Sequence, residues 1–312
     1  MNAIRPARLR GVLAPVVTPF HRNLDVDVDA FAVHCRWLVE NGAGLAIFGT
    51  NSEANSLSAG ERIDATDALI AAGIPAAMMM PGTGTSSITD TVMLTRHAVQ
   101  SGAAGALMLP PFFYKNLSDE GLLAYYSEVI ERVGDARLQL YLYHIPALSG
   151  APISLNLIEQ LLKRYPDTLA GVKDSSGDWA NTKAMIDRFA TEGLDIFPAS
   201  EALLSNALPI GGAGCISATV NVNPAGIVRV HERWNQPDGG ALQEQATAVR
   251  KIFQSLPMIA AMKHVLADWK GSKDWRIVRP PLTPFGEQAG QKLMADLQAI
   301  GFGMADGRVR AS

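Results

Sequence analysis

Leu169-Ala170-Gly171-Val172-Lys173-Asp174-Ser175-Ser176-Gly177 is the stretch that decides the fold. An uninterrupted apolar run ends in a lysine, and the chain then breaks into a polar, turn-forming cluster. A strand buried on both faces reads this way, because neither face needs water. Seven more runs of this kind lie at 12–17, 45–48, 76–80, 106–109, 138–143, 196–198 and 215–220. Amphipathic stretches separate them, among them 58–72, 86–99, 118–133 and 155–165. In the first of these, Ile63, Leu69 and Ile70 share a face, and Ser58 with Glu61 forms a capping box.

Strands that alternate with helices build parallel sheet. Right-handed connections leave two solutions, an open doubly wound sheet or a closed barrel. Eight units of about 20 to 33 residues favour closure. An open sheet would more often bring a Gly-x-Gly-x-x-Gly turn after its first strand, and none is present. Gly82-Thr83-Gly84 is a partial match that reads as a tight strand-to-helix turn. The strand signal stops after about residue 223. Helical patterns follow at 241–268 and 287–300, around Arg279-Pro280-Pro281-Leu282-Thr283-Pro284. The expected architecture is an α/β fold, a (β/α)8 TIM barrel with a C-terminal helical extension. Residues 1–225 hold the barrel strands and helices. Residues 226–312 hold the last barrel helix and the extension, in one structural unit.

Composition removes several classes of function. A chain of 312 residues suits a barrel of about 250 residues with additions. An apolar share of 48% argues against disorder. Twenty-seven basic residues against 30 acidic ones leave a charge of −3, with no basic stripe, so no nucleic-acid partner is expected. Cys35 and Cys215 sit in apolar context and read as buried thiols in a reducing compartment. Arg5, Arg8 and Arg10 before an apolar run outline a signal peptide. Pro15 and Pro19 interrupt that run, however, and no small-residue cleavage site follows. No stretch approaches the roughly 18 apolar residues of a membrane helix. The expectation is a soluble, cytoplasmic protein without a membrane partner.

Active sites of such barrels lie at the C-terminal strand ends. Lys173 stands at one. By alternation it shares a face with Gly171 and Leu169, and if that face is the interior, the amine enters a tight apolar space. Desolvation disfavours the ammonium, and a neutral amine attacks carbonyl carbon to give a Schiff base. The bland alternative is a strand-end lysine with its head in water. Lys173 ranks above the other lysines because most of those lie in polar helical stretches. Tyr143, in Tyr141-Leu142-Tyr143-His144-Ile145-Pro146, stands beside it if the two strands are neighbours, and a phenol there can move protons. His144 points to the other face. Gly49-Thr50-Asn51-Ser52-Glu53 offers a turn that could bind a carboxylate, and it also reads as a capping box from Thr50 to Glu53. The six histidines show no metal-ligand spacing, so no metal is expected.

Taken together, Thr50/Glu53, Tyr143 and Lys173 resemble the dihydrodipicolinate synthase and N-acetylneuraminate lyase superfamily. The resemblance runs from residues 11–20 through Tyr143–Pro146, Gly171–Asp174 and Gly211–Ser217 to Arg279–Pro284. It implies a Schiff base between Lys173 and pyruvate or another 2-oxo acid, with Tyr143 as acid/base group. It implies that Thr50 and Asn51 hold the 2-oxo acid carboxylate and that Ile216 contributes a backbone contact. It implies no cofactor, and a homo-oligomer, a tetramer or dimer. Ser175, Ala199, Ser200 and Glu201 would line the distal pocket and suit a polyhydroxylated group.

Four departures bear on the substrate. Dihydrodipicolinate synthases carry an arginine where this chain has Leu148. Sialic acid lyases carry a Gly-x-Asp-Glu stretch where this chain has Ala199-Ser200-Glu201-Ala202. A relay tyrosine is replaced by Phe113, with Tyr114 beside it. Asn51 stands for the usual Thr or Ser. The expected activity is therefore a carbon–carbon or carbon–oxygen lyase reaction on a 2-keto-3-deoxy sugar acid, by aldol cleavage, condensation or dehydration. N-acetylneuraminate lyase and 4-hydroxy-tetrahydrodipicolinate synthase are the alternatives in the same class. A 2-oxo acid binding or regulatory protein with little turnover is the alternative of another class. A phosphate-binding barrel is a further reading, resting on the glycine-rich Gly211-Gly212-Ala213-Gly214.

Overall fold

The computed structural model describes residues 6–304. Arg5 and the outer ends of the two expected segments, 1–5 and 305–312, lie outside the described residues. Among the described residues seven strands are formed: β1 (Gly11–Ala14), β2 (Gly44–Leu45), β3 (Ala106–Met108), β4 (Leu140–His144), β5 (Leu169–Asp174), β6 (Asp195–Pro198) and β7 (Gly214–Ile216). All pairings between them are parallel, in two arcs ordered β2-β1-β7 and β3-β4-β5-β6.

Backbone hydrogen bonds join the arcs on both sides. Met80 N donates to Leu45 O at 2.8 Å and Gly82 N to Ile47 O at 2.7 Å. Leu107 N donates to Pro81 O at 2.8 Å and Thr83 N to Leu107 O at 2.9 Å. Residues 79–83 thus occupy the place of the third barrel strand. The run expected at 76–80 begins instead as a 3₁₀ turn, Ala76–Met78, opened by Pro75 at φ −66°. On the other side Ala213 N donates to Ile196 O at 2.9 Å. The eighth run is shorter than expected, because the chain leaves β7 after Ile216 for a 3₁₀ turn at Ala218–Asn221.

Glycine-rich 211–214 serves this closure. A Cβ on Gly214 would lie 1.8 Å from Gly11 O, and both residues have positive φ. The glycines let β1 and β7 meet, which accounts for the run without an anion site.

Helices pack outside the ring: α1 (Val28–Glu40), α2 (Ala59–Ala71), α3 (Ile88–Gln100), α4 (Asp119–Val133), the short α5 (Pro146–Ser149), α6 (Leu155–Arg164), α7 (Trp179–Phe189), the short α8 (Leu204–Ala207) and α9 (Pro224–Arg233). Ser58 and Glu61 form the expected capping box at α2. The single helical pattern at 241–268 is two helices, α10 (Gly239–Gln254) and α11 (Met258–Lys270), since Pro257 cannot continue the first. Helix α12 (Glu287–Ala299) completes the extension. Among the described residues, no helix is long and apolar enough to cross a membrane.

Leu13, Ala46, Met80, Leu107, Tyr141, Tyr143, Phe197 and Ile216 form the barrel interior. One parity expectation needs correction. A register shift in the β4/β5 pair separates Leu140↔Leu169 from Tyr141↔Gly171. Leu169 therefore joins the strand–helix layer, while Ala170 joins the interior. Gly171 leaves room for the Tyr141 ring, whose carbons stand 2.9 Å from where its Cβ would be.

Candidate active site

Past the shift the β4/β5 register is regular. Lys173 lies opposite Tyr143 on one side and Phe197 of β6 on the other. Strand alternation thus delivers the amine and the phenol to the same end of the barrel. Lys173 is 2% exposed and Tyr143 3%. The Lys173 Nζ sits 4.2 Å from the centre of the Tyr143 ring. Tyr143 Oη lies 3.0 Å from Thr50 Oγ1, within hydrogen-bond distance.

Burial alone would raise the Tyr143 pKa. The Lys173 charge and hydrogen bonding from Thr50, Lys173 and Ser175 outweigh it, and the phenol is held below its ordinary value. A more readily ionised phenol is suited to passing a proton to and from a neighbouring reacting group.

Thr50 and Asn51 lie on a 3₁₀ turn, Thr50–Ser52, directly after the strand-like residues of the second unit. Thr18 Oγ1 donates to Ser52 O at 2.8 Å and Ser52 Oγ donates to Val16 O, so the turn is pinned to the chain leaving β1. The expected Thr50–Glu53 capping box is absent. Gly49 occupies the cap position, and Glu53 adopts a left-handed conformation at φ 56°. Its carboxylate turns inward instead, accepting from Lys263 Nζ at 2.5 Å and from Arg279 N at 2.8 Å. Burial lowers the Lys263 pKa to about 8 although Glu53 opposes the shift. This ion pair ties the turn to α11 and to the proline-rich segment.

A cavity of about 710 Å³ opens at this end of the barrel. It brings together Thr50, Asn51, Tyr143, Lys173 and Ser175 with Ala199 and Ser200, which follow β6, and Ile216 of β7. Glu201 is placed otherwise. It is fully buried and does not line the cavity. Its carboxylate accepts from the Ser217 and Thr219 hydroxyls. That distal position cannot touch a substrate directly.

His144 faces the helices, as parity requires. Its Nδ1 accepts from Ile153 N at 2.9 Å, and burial lowers its pKa against the pull of Asp174. Asp174 in turn holds the following loop, accepting from Thr182 Oγ1 at 2.5 Å and Ser176 N at 2.9 Å. Phe113 and Tyr114 are 73% and 67% exposed and lie outside the cavity lining. Among the described residues no group of three or more His, Cys, Asp or Glu is placed to hold a metal.

Sequence reasoning missed the contribution of the extension. Arg250 of α10, Met258–Ala260 of α11 and Pro281–Thr283 complete the cavity wall. Arg250 had a signal. It falls four residues after Ala246 and three before Phe253, both buried, so it puts a charge on the apolar face of its helix.

A profile of the Dihydrodipicolinate synthetase family matches residues 8–300. The chain belongs to that family. It is 33% identical over 298 residues to an uncharacterized DapA-like lyase of Chloroflexus aurantiacus, covering 94% of this chain and 98% of that one. It is 29% identical to a 4-hydroxy-tetrahydrodipicolinate synthase of Methanococcoides burtonii, covering 93% and 98%. Among solved structures it is similar to a dihydrodipicolinate synthase from Agrobacterium tumefaciens, with a TM-score of 0.86, 28% identity and coverage of 94% and 99%. It is also similar to a prophage protein of the dihydrodipicolinic acid synthase family from E. coli K12, solved in complex with pyruvate, with a TM-score of 0.85, 25% identity and coverage of 95% and 99%.

Proposed function

We propose that the protein is a lyase that forms an imine between Lys173 and pyruvate or a related 2-oxo acid. The observation that carries this reading is the juxtaposition of a buried lysine with a phenol at a cavity, the Nζ 4.2 Å from the Tyr143 ring centre. The uncharged amine adds to the C2 carbonyl, and the carbinolamine hydroxyl takes a proton from Tyr143 and leaves as water, which gives the protonated imine. Thr50 and Asn51 hold the carboxylate, and the Ile216 backbone supplies another contact. Tyr143 passes protons to and from the departing groups.

The imine then accepts electrons. In cleavage, Tyr143 takes the proton of the C4 hydroxyl, the C3–C4 bond breaks, and its electron pair enters the enamine. In dehydration, C3 loses a proton and C4 loses hydroxide, which departs as water. A 2-keto-3-deoxy sugar acid satisfies both routes, and Ser175 and Ser200 offer hydroxyls to its distal carbons. Leu148 at the cavity rim cannot pair with a carboxylate, which counts against a 4-hydroxy-tetrahydrodipicolinate synthase role.

Sodium borohydride added with pyruvate tests the reading. Mass spectrometry should find a reduced pyruvyl adduct on Lys173, and none in Lys173→Ala. Folded wild-type protein without adduct overturns the imine. A panel of 2-keto-3-deoxy acids and of aldehydes with pyruvate, read by pyruvate release or consumption, then names the substrate. An adduct without turnover on that panel would favour a 2-oxo acid binding protein, the reading that the absence of a relay tyrosine at Phe113 supports. The free, buried Cys35 and Cys215 suit the cytoplasm. The exposed Phe113, Tyr114 and Leu148 suit a homo-oligomer contact, which light scattering would test.

A further inference from the structure

We propose that Arg250 anchors a second carboxylate at the far end of the substrate, so that the natural ligand is a 2-oxo acid with an acidic tail. The inference rests on the imine reading and adds the substrate class.

Among the described residues, Lys173 and Arg250 are the cationic side chains lining the cavity, and Asp174 is the anionic one. The two cations come from different walls. Lys173 ends β5, while Arg250 reaches in from α10, which packs against the turn at Glu201–Leu203 after β6. A guanidinium on the apolar face of a helix is held there by a prepared mount. Its Nη1 donates to Ser217 Oγ at 3.1 Å and lies 3.8 Å from Glu201 Oε2. Glu201 is itself fixed, taking the Ser217 and Thr219 hydroxyls on its carboxylate, while Gln243 Nε2 donates to its backbone oxygen at 3.0 Å. Glu201 is thus a positioning residue acting through Arg250.

Arginine carries five N–H donors in a rigid fork. The mount engages Nη1, and Nε is buried out of reach without a partner, which leaves Nη2 for a ligand. A planar acceptor entering the cavity can take the donors that remain. The charge selects a carboxylate over a phosphate. The Glu201 carboxylate 3.8 Å from the guanidinium repels a phosphate dianion about twice as strongly as a carboxylate, which can still bond the free guanidinium donors. Leu148 supplies no competing cation at the rim. Arg250 enters from α10, a different element from the one that carries Leu148, so the anchor it offers meets a ligand from another direction.

Borohydride trapping followed by intact mass tests this with simple ligands. The half-saturating concentration is measured for pyruvate, for 2-oxohexanoate with its neutral tail, and for 2-oxoglutarate, 2-oxoadipate and 2-oxopimelate with acid tails of increasing length. In the wild type, the acid-tailed ligand of the right length should saturate roughly 10- to 100-fold below 2-oxohexanoate, the range for a charged hydrogen bond. That ratio, taken within each variant, should fall to near one in Arg250→Gln and Arg250→Met and persist in part in Arg250→Lys. A wild type that does not distinguish acid from neutral tails overturns the inference, whether or not the variants fold, and leaves the imine standing. Equal weakening of pyruvate and every other acid in Arg250→Gln also overturns it, since Arg250 would then serve the carboxylate beside the ketone. Absence of any adduct in the wild type overturns the imine instead. Calorimetric binding of the same acids then decides the anchor alone: an acid-tail preference lost in Arg250→Gln upholds it, and no preference sinks it.

Discussion

Two lysines of this molecule have been taken out of water and given opposite surroundings. Lys173 at the end of β5 is 2% exposed, and Lys263 in the middle of α11 is 0%. Each ammonium lies over a ring, 4.2 Å from that of Tyr143 and 4.5 Å from that of Phe20. Lys263 is met by Glu53 Oε1 at 2.5 Å and by Ile277 O at 2.6 Å. Lys173 forms no ion pair among the described residues and faces a cavity. Its charge instead acts on the phenol beside it, whose pKa it lowers. Burial alone therefore does not mark a reactive lysine. The partner does: a paired lysine is a strut, and an unpaired one beside a cavity is free to react.

Truncating each lysine should break the pair of cases apart. Lys173→Met should abolish borohydride trapping and lower turnover roughly 10⁴-fold or more, as loss of a covalent nucleophile does. Its unfolding free energy in urea should stay within about 1 kcal/mol of wild type or rise, because an unpaired buried charge has been removed. Lys263→Met should do the reverse to stability, lowering it by about 3–5 kcal/mol, since Glu53 is left buried and uncompensated. Adding Glu53→Gln to Lys263→Met should restore much of that loss, because the amide still accepts from Arg279 N without carrying a charge. A double variant no more stable than Lys263→Met would show that the strut works by packing and not by charge.

The same contrast separates what was legible in the sequence from what was not. Alternation puts Lys173 and Tyr143 at the ends of two runs, and the resemblance implies their roles. Even there, the shift at Leu140/Tyr141 moved Leu169 to the outer layer, since a bulge leaves no mark that alternation detects. The barrel was legible from eight runs and their spacing, although Pro75 displaced the third and Ile216 ended the eighth early. Lys263 and Glu53 lie 210 positions apart, and no local pattern links them. The spacing offers Glu53 as a capping-box partner for Thr50, and tertiary pairing with Lys263 overrides it. The resemblance implies Glu201 in the lining of the distal pocket, yet its oxygens are taken by Ser217 and Thr219.

Tyr143→Phe sharpens the comparison at the reacting end. It should lower kcat/KM by about 10²-fold or more, the size of a positioned acid/base contribution. It should also change the pH profile. The Tyr143 phenol ionises below the ordinary tyrosine value of 10.0, because the Lys173 charge and its hydrogen-bond donors outweigh burial. As pH rises through that lowered value the phenol loses the proton it must supply, and kcat/KM of the wild type should fall on a basic limb below pH 10.0. The limb should be missing from Tyr143→Phe. An unchanged limb would assign it to another group and remove Tyr143 from the proton path.

Thr50→Val carries the smallest effect and tests how the phenol is tuned. The substitution keeps the side-chain shape and removes the hydroxyl that bonds Tyr143 Oη at 3.0 Å. Loss of one such bond costs about 0.5–1.5 kcal/mol, or roughly 2- to 10-fold in kcat/KM. The direction of the pH limb is the sharper readout. Thr50 stabilises the ionised phenol, so without it the Tyr143 pKa must rise and the basic limb must move to higher pH. A merely structural Thr50 would lower activity at every pH and leave the limb in place. Lys263→Met serves as the comparison, since it loosens the same turn through Glu53 without touching the phenol. Its limb should stay where the wild type has it, and a shift there as large as in Thr50→Val would mean that the turn's position, not its hydroxyl, sets the acidity of Tyr143.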